Sequence, residues 1–390
     1  MNKFYKNINK LFWVNFFNNC FWLSSVVTFF YLKRDLNYAE ILTLSAVLSL
    51  TVLLFEIPTG IIADKYGRKI SLVFSSIFFM FSMSIYLLAH NFWLFGLAFV
   101  LLGIGITFGS GATEALIYDS LKKVNKKSEM RKSMGHFMSA EVLAGMVTPP
   151  IASFIAKDLL QWQFNLLIYF TIISYFIAFI LILTLKDIKS KKQEVEKFDF
   201  SFNDLKLLRK NHKFTRLAIN KILVGVAMSS FVLLWQPQFQ ASEVPIKLFG
   251  IFLALGSFGI FIVNQRIEWI SKIAKSGTLL FISSIAAVIG FILLGVILNP
   301  VVSILVYIIL RIIVSIREPI LSQHINDSIK SKKRAAILSL ISMISALIAF
   351  ILKPVIGALT DVNLTIGFIS LSLLCLIAII IFPVKDEHTI

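Results

Sequence analysis

Eight charged residues lie well inside long apolar runs of the sequence, away from the ends of the runs, and their side chains are the best suited to chemistry. A charge in the middle of an apolar helix costs about 2.5–3.5 kcal/mol when that helix enters a membrane. Such a residue is therefore paired, faces a water-filled cavity or has a function. The equal numbers of acids and cations indicate pairing around an interior cavity. They are Glu56, Glu114, Glu141, Glu318, Lys221, Arg311, Arg317 and Lys353.

The four carboxylates are candidates for carrying a proton. That role requires an accessible carboxyl group whose pKa is raised, and partial burial raises it. Glu141 lies about two turns inside its apolar run and is the first candidate, with a structural ion pair as the alternative. Glu114 follows a glycine-rich stretch, and a proton or a substrate role is the hypothesis for it. Glu56 precedes Pro58, where gating support and proton coupling are both open, and Glu318 is the fourth candidate.

Two of the cations are candidates for binding a substrate. Arg311 lies near the middle of its apolar run, where it would bind an anionic substrate group or act as an internal counter-ion. Glu318, seven residues further on, lies on the same face of the helix. Lys353 stands beside Pro354, and a kink at this proline would present the ammonium group to a cavity.

Twelve apolar runs must position these residues. The chain of 390 residues is 57% hydrophobic and only 15% charged, whereas a soluble protein needs more charge to cover its surface. In lipid only helices and closed barrels satisfy every backbone group, and these runs are too long for barrel strands. The first run is predicted to be an uncleaved span because it has no small-residue cleavage site. The predicted helices cover residues 11–31, 39–62, 70–89, 92–119, 134–156, 163–185, 214–236, 246–265, 278–298, 301–324, 335–358 and 363–384.

Lysine and arginine residues are distributed unevenly among the connections. Of the 38 basic residues, 30 fall at the termini and after even-numbered runs, four fall in the other connections and four within runs. Because basic residues favour the cytoplasmic side, this pattern predicts a multi-pass protein of the cell membrane with both termini in the cytoplasm. The net charge of +17 then reflects topology and contact with the anionic lipid bilayer, and we expect no nucleic-acid partner.

The longest connection, from Lys186 to Lys213, divides the chain into two halves. It is rich in lysine and glutamate and then turns amphipathic over residues 198–208, which predicts a short helix on the membrane surface. We expect one domain over residues 1–188, a cytoplasmic linker over 189–213 and a second domain over 214–390. Cys20 and Cys375 lie far apart inside apolar runs, so we expect no disulfide framework, no metal site and no cofactor.

The segment between the second and third runs reads Gly60-Ile-Ile-Ala-Asp-Lys-Tyr-Gly-Arg-Lys69. It resembles the signature loop of the major facilitator superfamily (MFS) of transporters. Residues 55–60, 110–119, 334–339 and 353–361 are similar to bacterial drug and antibiotic exporters of that superfamily. The resemblance implies an all-α membrane protein with twelve transmembrane helices in two six-helix bundles. It also implies a transporter of a small-molecule substrate, and we expect a monomer. No cluster of histidine or serine residues suggests a catalytic site, so we do not expect an enzyme.

The resemblance assigns a conformational latch to residues in and near this loop. Asp64 is expected near the start of the eleventh helix, whose N-terminus favours an anion. Arg68 is expected to pair with Asp119 at the end of the fourth helix. These contacts would hold the cytoplasmic side closed. The latch residues are Gly60, Asp64, Gly67, Arg68, Lys69 and Asp119.

The first and seventh helices are central in this superfamily, so their polar and aromatic residues are expected to line the cavity. The alternative for the tryptophans is a lipid-facing aromatic belt. The chain departs from drug antiporters in its fifth helix, where residues 145–153 keep only one glycine and the prolines of the antiporter motif. The cavity candidates are Asn18, Asn19, Trp22, Trp235 and Gln236.

The leading hypothesis for function is proton-coupled export of a small drug-like or antibiotic molecule by alternating access. The sequence contains no nucleotide-binding motif, so the proton gradient would supply the energy. Import or facilitated passage of a small metabolite, anionic ones included, is the second hypothesis. A non-transporting membrane sensor is the third.

Overall fold

A computed structural model describes residues 5–187, 212–327 and 334–384, and this part of the chain contains helices and turns but no strand. Residues 189–211 of the predicted linker, with the predicted surface helix, lie outside the described residues. The helices are α1 (Lys6–Asn18), α2 (Val27–Leu32), α3 (Tyr38–Tyr66), α4 (Arg68–Leu88), α5 (Phe92–Gly109), α6 (Ala112–Lys123), α7 (Met130–Ile155), α8 (Gln161–Leu183), α9 (His212–Ala241), α10 (Phe249–Gln265), α11 (Ile267–Ile273), α12 (Ser276–Val296), α13 (Pro300–Ser315), α14 (Arg317–Asp327), α15 (Arg334–Val362) and α16 (Leu364–Ile380).

Ten helical segments of the described chain are long and apolar enough to cross a membrane, and they correspond to the second to eleventh predicted helices. The first predicted helix differs, because α1 ends at Asn18 and α2 begins only at Val27. The prediction of one continuous helix over residues 11–31 is therefore wrong. The Asn19 amide donates to the backbone oxygen and to Oδ1 of Asn15 at 2.8 and 3.0 Å, and such local bonds compete with helical ones.

Further breaks separate α5 from α6, α10 from α11 and α13 from α14. At the first of them Gly111 has a φ of +57°, a conformation that residues with a side chain rarely adopt. Ser71 and Ser75 of α4 donate to the backbone oxygens of Phe108 and Gly105, both at 2.7 Å. Because lipid offers no hydrogen-bond partner, these two serines help α5 to end inside a membrane.

The described residues form two compact units. Unit 1 comprises residues 5–36, 47–187 and 246–254, and unit 2 comprises residues 37–46, 212–245, 255–327 and 334–384. The units follow the two halves of the sequence, except that the first turns of α3 are grouped with unit 2 and the start of α10 with unit 1. The domain boundaries proposed around the linker stay a prediction.

Unit 1 contains a close contact between α4 and α5. A Cβ atom on Gly105 would lie 2.6 Å from Cδ1 of Phe79, so only glycine permits this approach. Ser82 of α4 donates to the backbone oxygen of Ala98 at 2.8 Å. Small residues and serine hydroxyls that bond to a neighbouring backbone are typical of packed membrane helices. The contact between α4 and α5 is thus made by close packing and by neutral hydrogen bonds.

Unit 1 also contains a buried arginine in the connection between α2 and α3. Arg34 is buried, and its guanidinium donates to the backbone oxygen of Ala89 and lies 5.1 Å from the centroid of the Phe30 ring. Burial lowers the pKa of Arg34. Phe30 in turn packs on Tyr86 and Phe95. Arg34 therefore joins the end of α2 to the connection between α4 and α5.

Unit 2 is organised around Arg317, the first residue of α14. Its guanidinium is buried and donates to Ser283 Oγ at 3.0 Å, to Ser284 Oγ at 2.6 Å and to the Asn220 side-chain oxygen. The Asn220 amide donates to the backbone oxygen of Ala378 at 2.8 Å. Arg317 therefore links α14 to α9 and α12, and through Asn220 to α16. Neutral oxygens solvate this buried charge.

Candidate functional site

Three of the four carboxylates singled out from the sequence lie in unit 1. Glu56 of α3, Glu114 of α6 and Glu141 of α7 are all exposed to solvent in the isolated chain. Within the described ranges none of them forms an ion pair. Since an ionisable residue inside a membrane helix avoids lipid, these side chains need a water-filled space or a polar ligand.

The three carboxylates lie at a similar depth along their helices. Ten residues separate Glu56 from the end of α3, nine separate Glu114 from the end of α6, and eleven separate Glu141 from the start of α7. With a rise of 1.5 Å per residue, these separations are about 15, 14 and 17 Å. The hydrocarbon core of a bilayer is about 30 Å thick, so each carboxylate lies well inside its span rather than at its end.

The fourth carboxylate, Glu318, differs from the other three because it has a partner. Its Oε1 lies 2.7 Å from Nζ of Lys221. One residue, Ile316, separates α13 from α14, so the face that Glu318 shares with Arg311 stays a prediction. Within the described chain Glu318 forms its ion pair with Lys221 and none with Arg311.

Arg311 of α13 is half-buried, and its Nη1 donates a hydrogen bond to the hydroxyl oxygen of Tyr307 at 3.0 Å. No carboxylate of the described chain lies within ion-pair distance of it. Tyr307 is buried, and its ring centroid lies 4.8 Å from that of Trp235 and 5.2 Å from that of Phe239. The arginine is thus held by a tyrosine that is itself fixed by aromatic packing.

The seventh-helix candidates Trp235 and Gln236 are both buried inside unit 2. Trp235 packs edge-on against Phe239 at 5.1 Å and lies beside Tyr307. The lipid-facing alternative does not apply to Trp235, since the side chain is only 2% exposed. Its role as part of a cavity lining stays a prediction, as does that of Gln236.

The candidates of the first helix are anchored within unit 1. Trp22 donates from its ring nitrogen to Ser174 Oγ at 3.1 Å and from its backbone nitrogen to Thr171 Oγ1 at 3.2 Å. The side-chain amide of Asn19 donates to two oxygens of Asn15, as described above. The side-chain oxygen of Asn18 is buried without a hydrogen-bond partner in the described chain. Asn18 therefore has unused hydrogen-bonding capacity.

Lys353 of α15 is buried, and Nζ donates to Ser45 Oγ of α3 at 2.8 Å. Among the described residues it has no carboxylate partner. One further contact joins the same two helices. The Asp361 carboxylate accepts from the backbone nitrogens of Tyr38 and Ala39 at 2.7 and 3.0 Å. Asp361 thereby caps the N-terminus of α3, where a negative charge is favourable.

The predicted latch loop is reduced to one residue between two helices, because α3 ends at Tyr66 and α4 begins at Arg68. Gly67 between them has a φ of +105°. Arg68 Nη2 lies 2.6 Å from Oδ1 of Asp64, and this pair replaces the expected pair of Arg68 with Asp119. The two residues are four positions apart and meet across the turn. Asp119 forms no ion pair within the described ranges.

Lys69, another latch residue, binds the end of α8. Its Nζ donates to the backbone oxygen of Leu183 at 2.6 Å, and Lys10 donates to that of Thr184 at 2.8 Å. Cations at a helix C-terminus satisfy its free carbonyl groups and interact favourably with the helix dipole. Lys69 therefore has a structural role in unit 1.

Comparison with known protein families decides the class of this chain. The family model of the Major Facilitator Superfamily matches residues 11–352. The chain belongs to the major facilitator superfamily. This MFS chain is similar to the uncharacterized MFS-type transporter YxaM of Bacillus subtilis (strain 168), with 22% identity over 379 residues, which cover 93% of this chain and 92% of that protein.

Solved structures of other transporters share the fold. A variant of the nucleoside transporter NupG superposes with a TM-score of 0.81 at 14% identity and covers 96% of this chain and 98% of its own. A POT family transporter in complex with 5-aminolevulinic acid superposes with a TM-score of 0.75 at 13% identity, over 99% and 97%. At such identities the likeness concerns the fold alone. The predicted all-α MFS fold is confirmed, and the chain is a multi-pass membrane transporter rather than an enzyme.

Three residues of this MFS chain make contacts at or near the candidate site but are absent from the candidates drawn from the sequence: Tyr307, Ser45 and Asp361. Tyr307 stands one helical turn before Arg311, and this spacing is the signal that would have found it. Ser45 and Lys353 are 308 positions apart, and Asp361 and Tyr38 are 323 apart. No local pattern indicates these two contacts.

Proposed function

We propose that the chain exports a small drug-like or antibiotic molecule in exchange for protons, by alternating access. The observation that carries this proposal is the set of three carboxylates, Glu56, Glu114 and Glu141, at similar depth and without an ion pair in the described chain. A proton carrier must release and rebind its proton in every cycle. A carboxylate without a fixed cation is suited to that task, because a nearby cation favours the ionised form.

Glu141 is the first choice for the proton-carrying residue. It lies deepest along its helix of the three, about 17 Å from the start of α7. Glu318 is less suited than the other candidates, since Lys221 lies 2.7 Å from it. A membrane potential of 100 mV supplies about 2.3 kcal/mol per charge moved, which corresponds to roughly 40- to 50-fold accumulation. One proton per substrate is therefore sufficient for export against a useful gradient.

The latch residues are proposed to exchange partners during the cycle. Arg68 pairs with Asp64 at 2.6 Å in this structure, and Asp119 has no ion pair in the described chain. We infer that Arg68 moves between these two carboxylates when the transporter changes state. Gly67 permits the turn, and Lys69 keeps α8 in place. The close helix contact expected at Gly60 is not found, because a Cβ atom there would meet nothing within 4 Å. The setting of this cycle is the cell membrane, with a monomer whose termini are both cytoplasmic.

One observation favours a second function. Arg311 and Lys353 are cations of unit 2 without a carboxylate partner among the described residues. Such cations also suit an importer or facilitator of a small anionic metabolite. Protection of cells from a toxic compound would support export. A growth requirement for an external metabolite would support import.

Proton flux in inside-out vesicles tests the proposal. A pH-sensitive dye reports proton movement while a panel of drugs and peptide antibiotics is added to vesicles that contain the full chain. We expect at least one compound to trigger proton movement, and Glu141→Gln to abolish it. Glu243→Gln, in an exposed turn, is the matched control and should respond like the parent.

A response retained by Glu141→Gln would move the proton to Glu114 or Glu56. The absence of any response would reject proton-coupled export of these compounds.

A further inference from the structure

Unit 2 contains three cations within its spans that have no carboxylate partner in the described chain: Arg311, Arg317 and Lys353. Two of them are accounted for by neutral groups. Arg317 is buried and donates to serine and asparagine oxygens and to a backbone oxygen. Lys353 is buried and donates to Ser45. Arg311 differs from both because its side chain is only half-buried.

The guanidinium of Arg311 has five N–H groups, and the hydrogen bond to Tyr307 uses one of them. The Arg311 side chain is only half-buried, so the guanidinium is partly accessible. Eleven residues separate Arg311 from the start of α13, a distance of about 17 Å along the helix. The guanidinium thus lies well inside a membrane span.

The position of Arg311 is fixed on two sides. On one side the Tyr307 hydroxyl holds Nη1, and the Tyr307 ring is packed among Phe231, Trp235 and Phe239. On the other side a Cβ atom on Gly256 of α10 would lie only 3.1 Å from Arg311 Cδ. A positively charged group that is held in place, accessible and without a counter-ion is pre-organised to bind an anion.

We propose that Arg311 binds an oxyanion on the transported molecule, a carboxylate or a phosphate monoester, through paired N–H···O bonds. Guanidinium groups bind both oxyanions in this two-point geometry. The inference rests on the proposed transport function and adds to it the charge class of the substrate. A structural counter-ion role for Arg311 would require a carboxylate, and the nearest candidate in sequence, Glu318, is paired with Lys221.

Ligand-induced thermal stabilisation of the purified full-length protein in lipid nanodiscs tests this inference. The probes are benzoate with benzamide as its neutral match, and phenyl phosphate with phenol as its neutral match. We expect at least one anion to raise the unfolding temperature in a saturable manner and its neutral match to fail. Stabilisation by benzoate alone identifies the carboxylate as the preferred group, and stabilisation by phenyl phosphate alone identifies the phosphate.

Three variants separate direct binding from general charge effects. Arg311→Gln should weaken the anion affinity by about ten- to hundredfold, the range expected for lost charged hydrogen bonds. Arg311→Lys keeps the charge without the fork and should weaken it less, as should Tyr307→Phe. Arg216→Gln removes an exposed positive charge from the same unit and should leave the affinity unchanged. If Arg311→Gln fails to fold, Arg311→Lys and Tyr307→Phe still decide the matter.

The outcomes distinguish this inference from the proposed function. Equal stabilisation by anions and neutral matches, or a response unchanged in Arg311→Gln and Tyr307→Phe, would overturn anion binding at Arg311. If vesicles still showed drug-triggered proton flux in that case, proton-coupled export would stand without an anionic substrate. Arg311-dependent anion binding in a protein without proton flux would support the inference and reject the proton coupling.

Discussion

Lys353 on α15 donates a hydrogen bond to Ser45 on α3 at 2.8 Å, and it is a buried ammonium group without a carboxylate partner among the described residues. Removing its partner therefore has a different effect from removing its charge. Ser45→Ala leaves the ammonium group without this acceptor and should lower the free energy of unfolding by about 1–3 kcal/mol.

Lys353→Met, by contrast, replaces the buried charge with an apolar side chain of similar shape. This change should be close to neutral or stabilising, because a buried charge is costly to desolvate. Thermal unfolding of both variants in the same detergent gives the comparison. A larger loss of stability in Lys353→Met than in Ser45→Ala would contradict this account.

Asp361 should stabilise the start of α3 locally. Asp361→Ala removes the cap from the backbone nitrogens of Tyr38 and Ala39 and should cost about 0.5–2 kcal/mol. Asp361→Asn keeps one acceptor and should cost less. Hydrogen exchange of the amides of residues 38–42 is the measurement, and it should accelerate more in the alanine variant. Unchanged exchange there would contradict the capping role.

Gly67 should resist substitution far more than Gly135. Gly67 has a φ of +105°, and a Cβ atom there would lie 3.3 Å from Oδ2 of Asp187. Gly67→Ala should therefore destabilise the protein by about 1–3 kcal/mol, the usual strain of such a backbone conformation. Gly135 in α7 has open space around its Cβ position, and Gly135→Ala should stabilise by about 0.5–1 kcal/mol. The unfolding temperatures of the two alanine variants should shift in opposite directions.

The two arginines of α13 and α14 should respond differently to the same change. Arg317→Gln breaks a buried set of hydrogen bonds to serine and asparagine oxygens, each worth about 1.5–3 kcal/mol when one partner is charged. We expect poor expression or a strongly lowered unfolding temperature. Arg311→Gln loses one bond of a half-buried side chain and should fold normally. Similar unfolding temperatures for the two variants would contradict the structural role of Arg317.

Apolar run length was sufficient to predict the second to eleventh helices, because lipid forces a long apolar segment to satisfy its backbone within a helix. The break after Asn18 escaped prediction. Hydropathy does not register the amide hydrogen bonds of Asn19 to Asn15, and these depend on side-chain geometry. The superfamily signature likewise identified the turn at Gly67, while the pair of Arg68 with Asp64 depends on the short connection between α3 and α4.

Among the candidate residues, too, some features were visible in the sequence and others depended on the folded structure. Glu56, Glu114 and Glu141 were recognised because a charge in an apolar run is conspicuous in any sequence. The buried hydrogen bonds of Arg317 could not be recognised, because the sequence shows only a second arginine in the predicted helix of Arg311. Arg317 is distinguished by its contacts with the serines of α12, Ser283 and Ser284. That information resides in tertiary packing.

The two cysteines, Cys20 and Cys375, are both free thiols and both buried, at 2% and 0% exposure. Cys20 Sγ also donates to the backbone oxygen of Phe16 at 3.2 Å. Maleimide and other alkylating reagents need an accessible thiolate, so the parent chain should give almost no labelling background. A single cysteine introduced at Arg311, Glu141 or Asp119 would then be the only reactive thiol, and its modification rate would report directly on access to that position.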